Sequence, residues 1–414
     1  MGTCPVPGDK SLAHRSALFA ALAEGESRIS NYPDSGVTRA MRGALASLGV
    51  PSSLDGDVLC VRGNGFRPFP NVGAVAFCGN SATTIRLLAG TVAGTGSTAV
   101  LDGSEGLRKR PMGRIADPLR QMGVPVETTN GCAPMRLAPA QGGLKPVDYE
   151  LPVASAQVLS CLQIAALGAK GVSHFKVPGP VRDHTTRMLA SMGADVEDAD
   201  GVSTVHPLVR PLAPLQAVLP GDISSAAFLL AAASIVPGSV VTVPGIGVNP
   251  TRTGILDVLT AMGCTVDVAN PREEMGEPVA DVTLTAAPLK AVEIGGDLVV
   301  RTIDEFPAVA AVAAFASGTT IVRDARELRY KESDRIAAIV TQLRALGATV
   351  NEFDDGFAVQ GGTLKGGTAQ ANGDHRLAMS MALCGLRAPV RVDGAEILAE
   401  SFPSFVVSLE ALRK

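Results

Sequence analysis

The chain has 414 residues and is 46% hydrophobic, with 12 Phe, 3 Tyr and no Trp, and it carries a formal net charge of −4. That length exceeds what one core fills and predicts two domains, while the slightly acidic balance gives no basis for a general nucleic-acid surface. Seven scattered cysteines without a CxxC pair point to free thiols in a reducing compartment rather than a disulfide framework or a cysteine zinc site. No apolar run approaches the roughly 18 residues that span a bilayer, and Met1–Pro5 runs straight into the first motif, so a soluble, cytoplasmic protein is expected.

In chain order, six polar clusters each open an Ala/Leu-rich run that is apolar nearly all round. They are Gly8-Asp9-Lys10-Ser11, Asn80-Ser81-Ala82-Thr83, Ser155-Ala156-Gln157, Asp222-Ile223-Ser224-Ser225, Asp304-Glu305 and Asp374-His375-Arg376. Their spacing of about 70 residues is that of a repeated supersecondary unit. A run apolar on all sides predicts a buried helix. Each polar head then stands at a helix N-terminus, where free N–H groups and the positive dipole end favour anions. Amphipathic segments interleave with these runs and close at Gly49, Gly123, Gly193, Gly263 and Gly347, the place of a helix C-cap glycine. Short strand-like stretches follow, among them Val124–Glu127, Ala194–Glu197 and Ala348–Asn351. The sixth amphipathic copy is Phe402–Leu412, without the glycine. Three such units fall before about residue 219 and three after it, which predicts two domains of equal size with a small-molecule cleft between them.

Several strings bear on chemistry. Lys10, Ser11 and Arg15 crowd the first turns of the first helix, a setting for phosphate or carboxylate. The string is not a Walker A loop, because the glycine before the lysine is missing, and Gly245-Ile246-Gly247 lacks the third glycine of a dinucleotide fingerprint. The five histidines (His14, His174, His184, His206, His375) show no metal-ligand spacing. Lys331 and Arg335 are read as i,i+4 neighbours on one helix face, with Glu332 between them. Taken singly, each cluster is a capped helix or a solvated ion pair. Taken together, Lys10, Arg15, Arg110, Lys331, Arg335 and Arg376 at equivalent places in an acidic protein predict substrates that carry several negative charges.

Pro7–Arg15, Gly79–Arg86, Arg110-Pro111-Met112, Ser155–Gln157, Arg182–Thr185, Gly221–Phe228, Asp304-Glu305, Arg329–Ile336 and Asp374–Met379 resemble, over essentially the whole chain, the enolpyruvyl transferase family. The resemblance implies an α/β fold, the two-domain inside-out α/β barrel, with six βαβαββ repeats, three per domain. The domains are then 12–219 and 1–11 plus 220–414, with the active site in the interdomain cleft. Within the family the match is to the member that joins phosphoenolpyruvate to the 5-hydroxyl of shikimate-3-phosphate and releases phosphate, a step of aromatic amino acid biosynthesis performed by a monomer without metal or organic cofactor. Carried over by position, Lys10, Ser11, Arg15, Ser155, Ala156, Gln157, Arg182, Asp304 and Lys331 match the shikimate-3-phosphate contacts. Lys10, Asn80, Ala82, Arg110, Gln157, Arg335 and Arg376 match the phosphoenolpyruvate pocket. Asp304 matches the carboxylate at the 5-hydroxyl, and Glu332 or Lys10 the acid that protonates C3.

Two features depart from many members: Ala82 stands where glycine is common, and Glu400 precedes Ser401-Phe402-Pro403 where the other class has a lysine. Glu400, together with Arg86-Leu87 in place of Arg-Pro, resembles class II, which is linked to glyphosate tolerance, and separately the added methyl at Ala82 predicts weak glyphosate binding. The sister enzyme acting on UDP-N-acetylglucosamine has Lys-Asn in the first motif and a loop cysteine acid, neither matched by Asp9-Lys10-Ser11, Cys78 or Cys132. An inactive binding protein on the same fold would be expected to have lost Asp304, Glu332 or an arginine.

Overall fold

The computed structural model describes residues 2–412. All six apolar runs are helices: Lys10–Leu22, Ala82–Gly94, Ala156–Ala166, Ile223–Ile235, Phe306–Ala313 and His375–Cys384. Every residue of Ile223–Ile235 and of Phe306–Ala313 is buried, which is why neither shows a polar stripe. The second helix of each repeat is amphipathic: Gly36–Ser47, Gly113–Gln121, His184–Ser191, Gly254–Ala261, Arg335–Ala345 and Phe405–Ala411. The first five close on Gly49, Gly123, Gly193, Gly263 and Gly347 with φ between 92° and 108°, a conformation that only glycine adopts without strain.

The strands form five four-stranded sheets and one two-stranded sheet. In four of the six sheets the strand before the buried helix pairs parallel with the strand after it, as in Ala74–Phe77 with Ala99–Asp102 and Asp148–Glu150 with Ser173–Lys176. An antiparallel hairpin then completes the sheet, as Val196–Ala199 and Val202–Val205 do for the third repeat. This is a βαβαββ unit. Two first strands come from far along the chain. Gln216–Val218 pairs parallel with Arg28–Ser30 and completes the sheet of the first repeat. Gly2–Thr3 pairs parallel with Val241–Thr242 and completes that of the fourth. In the sixth repeat, Gly367–Gln370 and Val390–Asp393 pair alone among the described residues.

Packing divides the chain into two compact units. The N-terminal unit is Lys10–Leu219 with Glu273–Glu277; the C-terminal unit is the chain up to Asp9, Pro220–Arg272 and everything from Pro278 on. Each has its own apolar core, built mainly from Ala, Leu, Val and Ile. With few aromatics, the helices approach closely. A Cβ at Gly90 would lie 2.1 Å from the Cys161 carbonyl oxygen, so the Ala82–Gly94 and Ala156–Ala166 helices meet backbone to backbone there. No helix among the described residues is long and apolar enough to cross a membrane.

One local expectation is corrected. Lys331 and Arg335 do not share a helix face: Arg326–Tyr330 is a 3-10 turn, Asp334 caps the next helix through the Ala337 N–H, and that helix begins only at Arg335. An aspartate that satisfies a free amide at this point starts the helix later than charge spacing suggests.

Candidate active site

In the N-terminal unit, side chains at the heads of the three buried helices bond to one another. Arg15 is 3% exposed. Its Nε donates to Thr185 Oγ1 at 2.8 Å, its Nη2 to Ser160 Oγ at 3.0 Å and its Nη1 to the Ser11 carbonyl at 3.0 Å. Gln157 accepts from Arg86 Nη1 and donates to Thr83 Oγ1 at 2.9 Å, tying the third helix head to the second. His14 Nδ1 lies 3.4 Å from Thr84 Oγ1, linking first to second. Three positive dipole ends thus stand side by side. Lys10 is the first residue of its helix, and Ser155 and Asp183 are cap residues. Asn80 Oδ1 accepts from Ser104 Oγ at 2.9 Å; a Cβ at Gly106 would come within 2.8 Å of that oxygen, so glycine is what lets the loop close on it. Ala82 opens its helix at 7% exposure, behind the Ser81 cap. Arg182 and Ala156 are half-buried. Arg110 is half-buried too, and its guanidinium bonds to no described residue.

The C-terminal unit repeats the arrangement with carboxylates. Asp304 Oδ1 lies 3.6 Å from Lys331 Nζ and 3.5 Å from Arg335 Nη1. Arg335 is 1% exposed; its Nε donates to Asp374 Oδ2 at 2.7 Å and its Nη2 to Glu332 Oε2 at 2.7 Å. Burial works against the charge on Arg335, but Glu332 and Asp374 outweigh it and hold its pKa above the usual arginine value. Burial likewise favours the neutral acid at Asp374, yet Arg335 prevails and keeps the carboxyl below its ordinary 3.8. Asp374 also caps its helix, accepting from the Arg376 N–H at 2.9 Å. Arg376 Nη1 donates to the Asp304 carbonyl at 2.8 Å and stands 3.4 Å from Glu305 Oε1. Glu305 Oε1 in turn accepts from Ser224 Oγ, so the three helix heads of this unit also interlock.

The structure therefore gathers Ser11, Arg15 and their partners Ser160 and Thr185; Gln157 with Arg86 and Thr83; and Asp304, Lys331, Glu332, Arg335 and Arg376. It gives Arg110 no partner among the candidates. Sequence reading passed over Ser160, one helical turn below Ala156, and Arg252, whose guanidinium donates to Ser224 Oγ at 2.8 Å and lies 3.5 Å from Asp9. Ser160 had the signal of facing the same way as the helix head; Arg252 had none, sitting in a loop.

The donor atoms of Asp183, His184 and Glu277 lie within 4.8 Å of one another. They are engaged within the protein: His184 Nδ1 is 2.8 Å from Glu277 Oε1, and Arg187 Nε donates to Asp183 Oδ2 at 2.7 Å. A guanidinium on one carboxylate opposes a cation there, and this trio is read as structural.

The family model described as EPSP synthase (3-phosphoshikimate 1-carboxyvinyltransferase) matches residues 1–409. The chain is 46% identical over 413 residues to the 3-phosphoshikimate 1-carboxyvinyltransferase of Geobacter sulfurreducens, covering 99% of this chain and 96% of that one. It is 42% identical to the enzyme of that name from Desulforamulus reducens, covering 98% and 95%. Among solved structures, EPSP synthase from Acinetobacter baumannii superimposes with a TM-score of 0.91 at 37% identity over 99% of this chain and 95% of that one. The enolpyruvyl transferase NikO from Streptomyces tendae shares the fold at a TM-score of 0.78 and 21% identity, covering 100% and 95%.

Proposed function

Because the chain belongs to the EPSP synthase (3-phosphoshikimate 1-carboxyvinyltransferase) family, we propose that the two sets of helix heads bind the two anionic substrates of that reaction and that Asp304 and Glu332 move its protons. The chain transfers the enolpyruvyl group of phosphoenolpyruvate to shikimate-3-phosphate and releases phosphate. Lys10, Ser11, Arg15, Ser155, Ala156, Gln157 and Arg182 take shikimate-3-phosphate; the hydroxyls, amides and cations of those helix heads suit a phosphate and a carboxylate. Asn80, Ala82, Arg110, Arg335 and Arg376, with Lys10 and Gln157, take phosphoenolpyruvate. Arg110 and Arg376 enter this role with donors that the protein leaves over. Arg335 enters it from within its carboxylates, so it acts on the substrate while orienting Asp304 and Glu332.

The 5-hydroxyl loses its proton to Asp304 as its oxygen attacks C2 of the enol, and C3 gains a proton from Glu332 or Lys10. The tetrahedral intermediate then collapses: the group that protonated C3 takes a proton back from the methyl as the C2–O bond to phosphate breaks, and Lys10 and the arginines stabilise the charge of the departing phosphate. The observation that carries this reading is the convergence of Lys331 and Arg335 on one oxygen of Asp304, with Glu332 on the same guanidinium: two carboxylates of different exposure, positioned by shared cations. The test is phosphate release from the purified protein. Release is expected only with both substrates present and without added metal. Release from phosphoenolpyruvate alone, or none from the folded protein with both, would overturn the reading.

Glyphosate is expected to bind weakly, since the Ala82 methyl narrows the pocket proposed for phosphoenolpyruvate. Replacing Ala82 with Gly should lower the glyphosate inhibition constant by about tenfold, the lower range for one methyl group in a pocket. Equal inhibition of the two proteins would remove the steric argument.

A further inference from the structure

Glu305 is fully buried and sits at the head of an anion-binding helix, where a carboxylate works against the proposed substrate. A negative charge 3.4 Å from Arg376 Nη1 weakens the field that this guanidinium presents to an anion. The carboxylate is also incompletely satisfied: Oε1 accepts from Ser224 Oγ, while Oε2 is buried and has no hydrogen-bond partner. Burying such a group costs free energy, and the fold keeps it behind a dedicated support. Arg252, 2% exposed, donates through Nη2 to Ser224 Oγ at 2.8 Å and lies 3.5 Å from Asp9 and 3.7 Å from Asp222. Burial opposes the charge on Arg252, but Asp9, Glu305 and Asp222 overcome it and raise its pKa. A hydroxyl has one proton to give. Because Ser224 accepts from Arg252, that proton is aimed at Glu305.

What this support achieves is visible at Arg376. Its Nη1 is taken by the Asp304 carbonyl and Glu305, whereas Nε and Nη2 donate to no described residue. These two N–H groups form the fork that grips a carboxylate or phosphate with two parallel bonds. We infer that Glu305, held by Ser224 and Arg252, is a positioning residue that pins the Nη1 of Arg376 and so presents its Nε–Nη2 edge to phosphoenolpyruvate. The inference rests on the proposal that Arg376 binds that substrate.

Steady-state kinetics with each substrate varied, run on the full chain, test it. Glu305→Ala is expected to raise the KM for phosphoenolpyruvate about tenfold through misorientation of the fork, with the KM for shikimate-3-phosphate unchanged. Glu305→Gln, whose amide oxygen can still accept from Ser224 and Arg376, is expected to stay near wild type. Ser224→Ala should show an intermediate rise, and it answers the question if Glu305→Ala does not fold. A folded Glu305→Ala or Ser224→Ala enzyme with an unchanged KM for phosphoenolpyruvate would overturn the inference. So would a loss confined to kcat, or a Glu305→Gln enzyme as impaired as Glu305→Ala. Arg376→Ala, measured alongside, separates the two levels. If it leaves that KM unchanged, the binding role of Arg376 fails; if it raises the KM and the Glu305 variants do not, only the positioning role fails.

Discussion

Replacing Asp304 with alanine is expected to lower kcat for phosphate release by about 10²- to 10⁴-fold, the range for loss of a positioned general base. The substitution leaves much of the site standing. Arg376 is held by the Asp304 backbone carbonyl, not by its side chain, and Arg335 keeps Asp374 and Glu332. What disappears is the carboxylate that stands beside Lys331 and Arg335 at 14% exposure. Asp304→Asn decides between two roles. An amide fills the same space but takes no proton, so it should be as slow as alanine if Asp304 is the base. Substantial activity in the Asp304→Asn enzyme at saturating substrates would assign the residue to anchoring its cations instead.

The second large effect is on stability. Asp374 has no exposed side-chain surface, accepts from Arg335 Nε and Ser333 Oγ at 2.7 and 3.2 Å, and caps the His375–Cys384 helix. Asp374→Ala leaves Arg335 buried without its fully buried partner, and removing one member of a buried pair costs about 3–5 kcal/mol. Denaturant unfolding that follows the C-terminal unit should report a loss of that size; one below about 1 kcal/mol, the level of an exposed pair, would refute the buried-pair account. The pH dependence has a defined sign. The folded carboxyl lies below the ordinary 3.8, so its contribution is fully present above that value and is lost as pH falls through the depressed one. Arg335 stays charged throughout, its pKa being raised. Wild type and Asp374→Ala should therefore converge in stability in acid and differ most near neutrality.

The helices were legible because their chemistry is local. A polar head, an all-apolar body and a glycine stop are each written within a dozen residues, and Asp222, Asp374 and Gly263 serve where the pattern puts them. Candidate residues that lie in those heads, such as Lys10, Asp304 and Arg376, were legible for the same reason. Partnerships set by tertiary packing were not. Arg252 reaches Ser224 and Asp9 from a loop that carries no period. Lys331 and Arg335 meet at Asp304 through the 3-10 turn and the Asp334 cap rather than along a helix face. The first strands of the first and fourth repeats span only Gln216–Val218 and Gly2–Thr3, too short for alternation to appear.

Those two borrowed strands set a timetable for synthesis. The N-terminal unit acquires its last sheet strand, Gln216–Val218, just as its main stretch of chain ends, with only Glu273–Glu277 still to come, so its three sheets can close as soon as Leu219 clears the ribosome. Gly2–Thr3 has the opposite fate. It must stay unpaired until Val241–Thr242 emerges, a wait of roughly 10–50 s at ordinary elongation rates. A gene cut between Leu219 and Pro220 would accordingly yield one half with all its strands and another that lacks an edge, unless residues 2–9 are grafted ahead of Pro220.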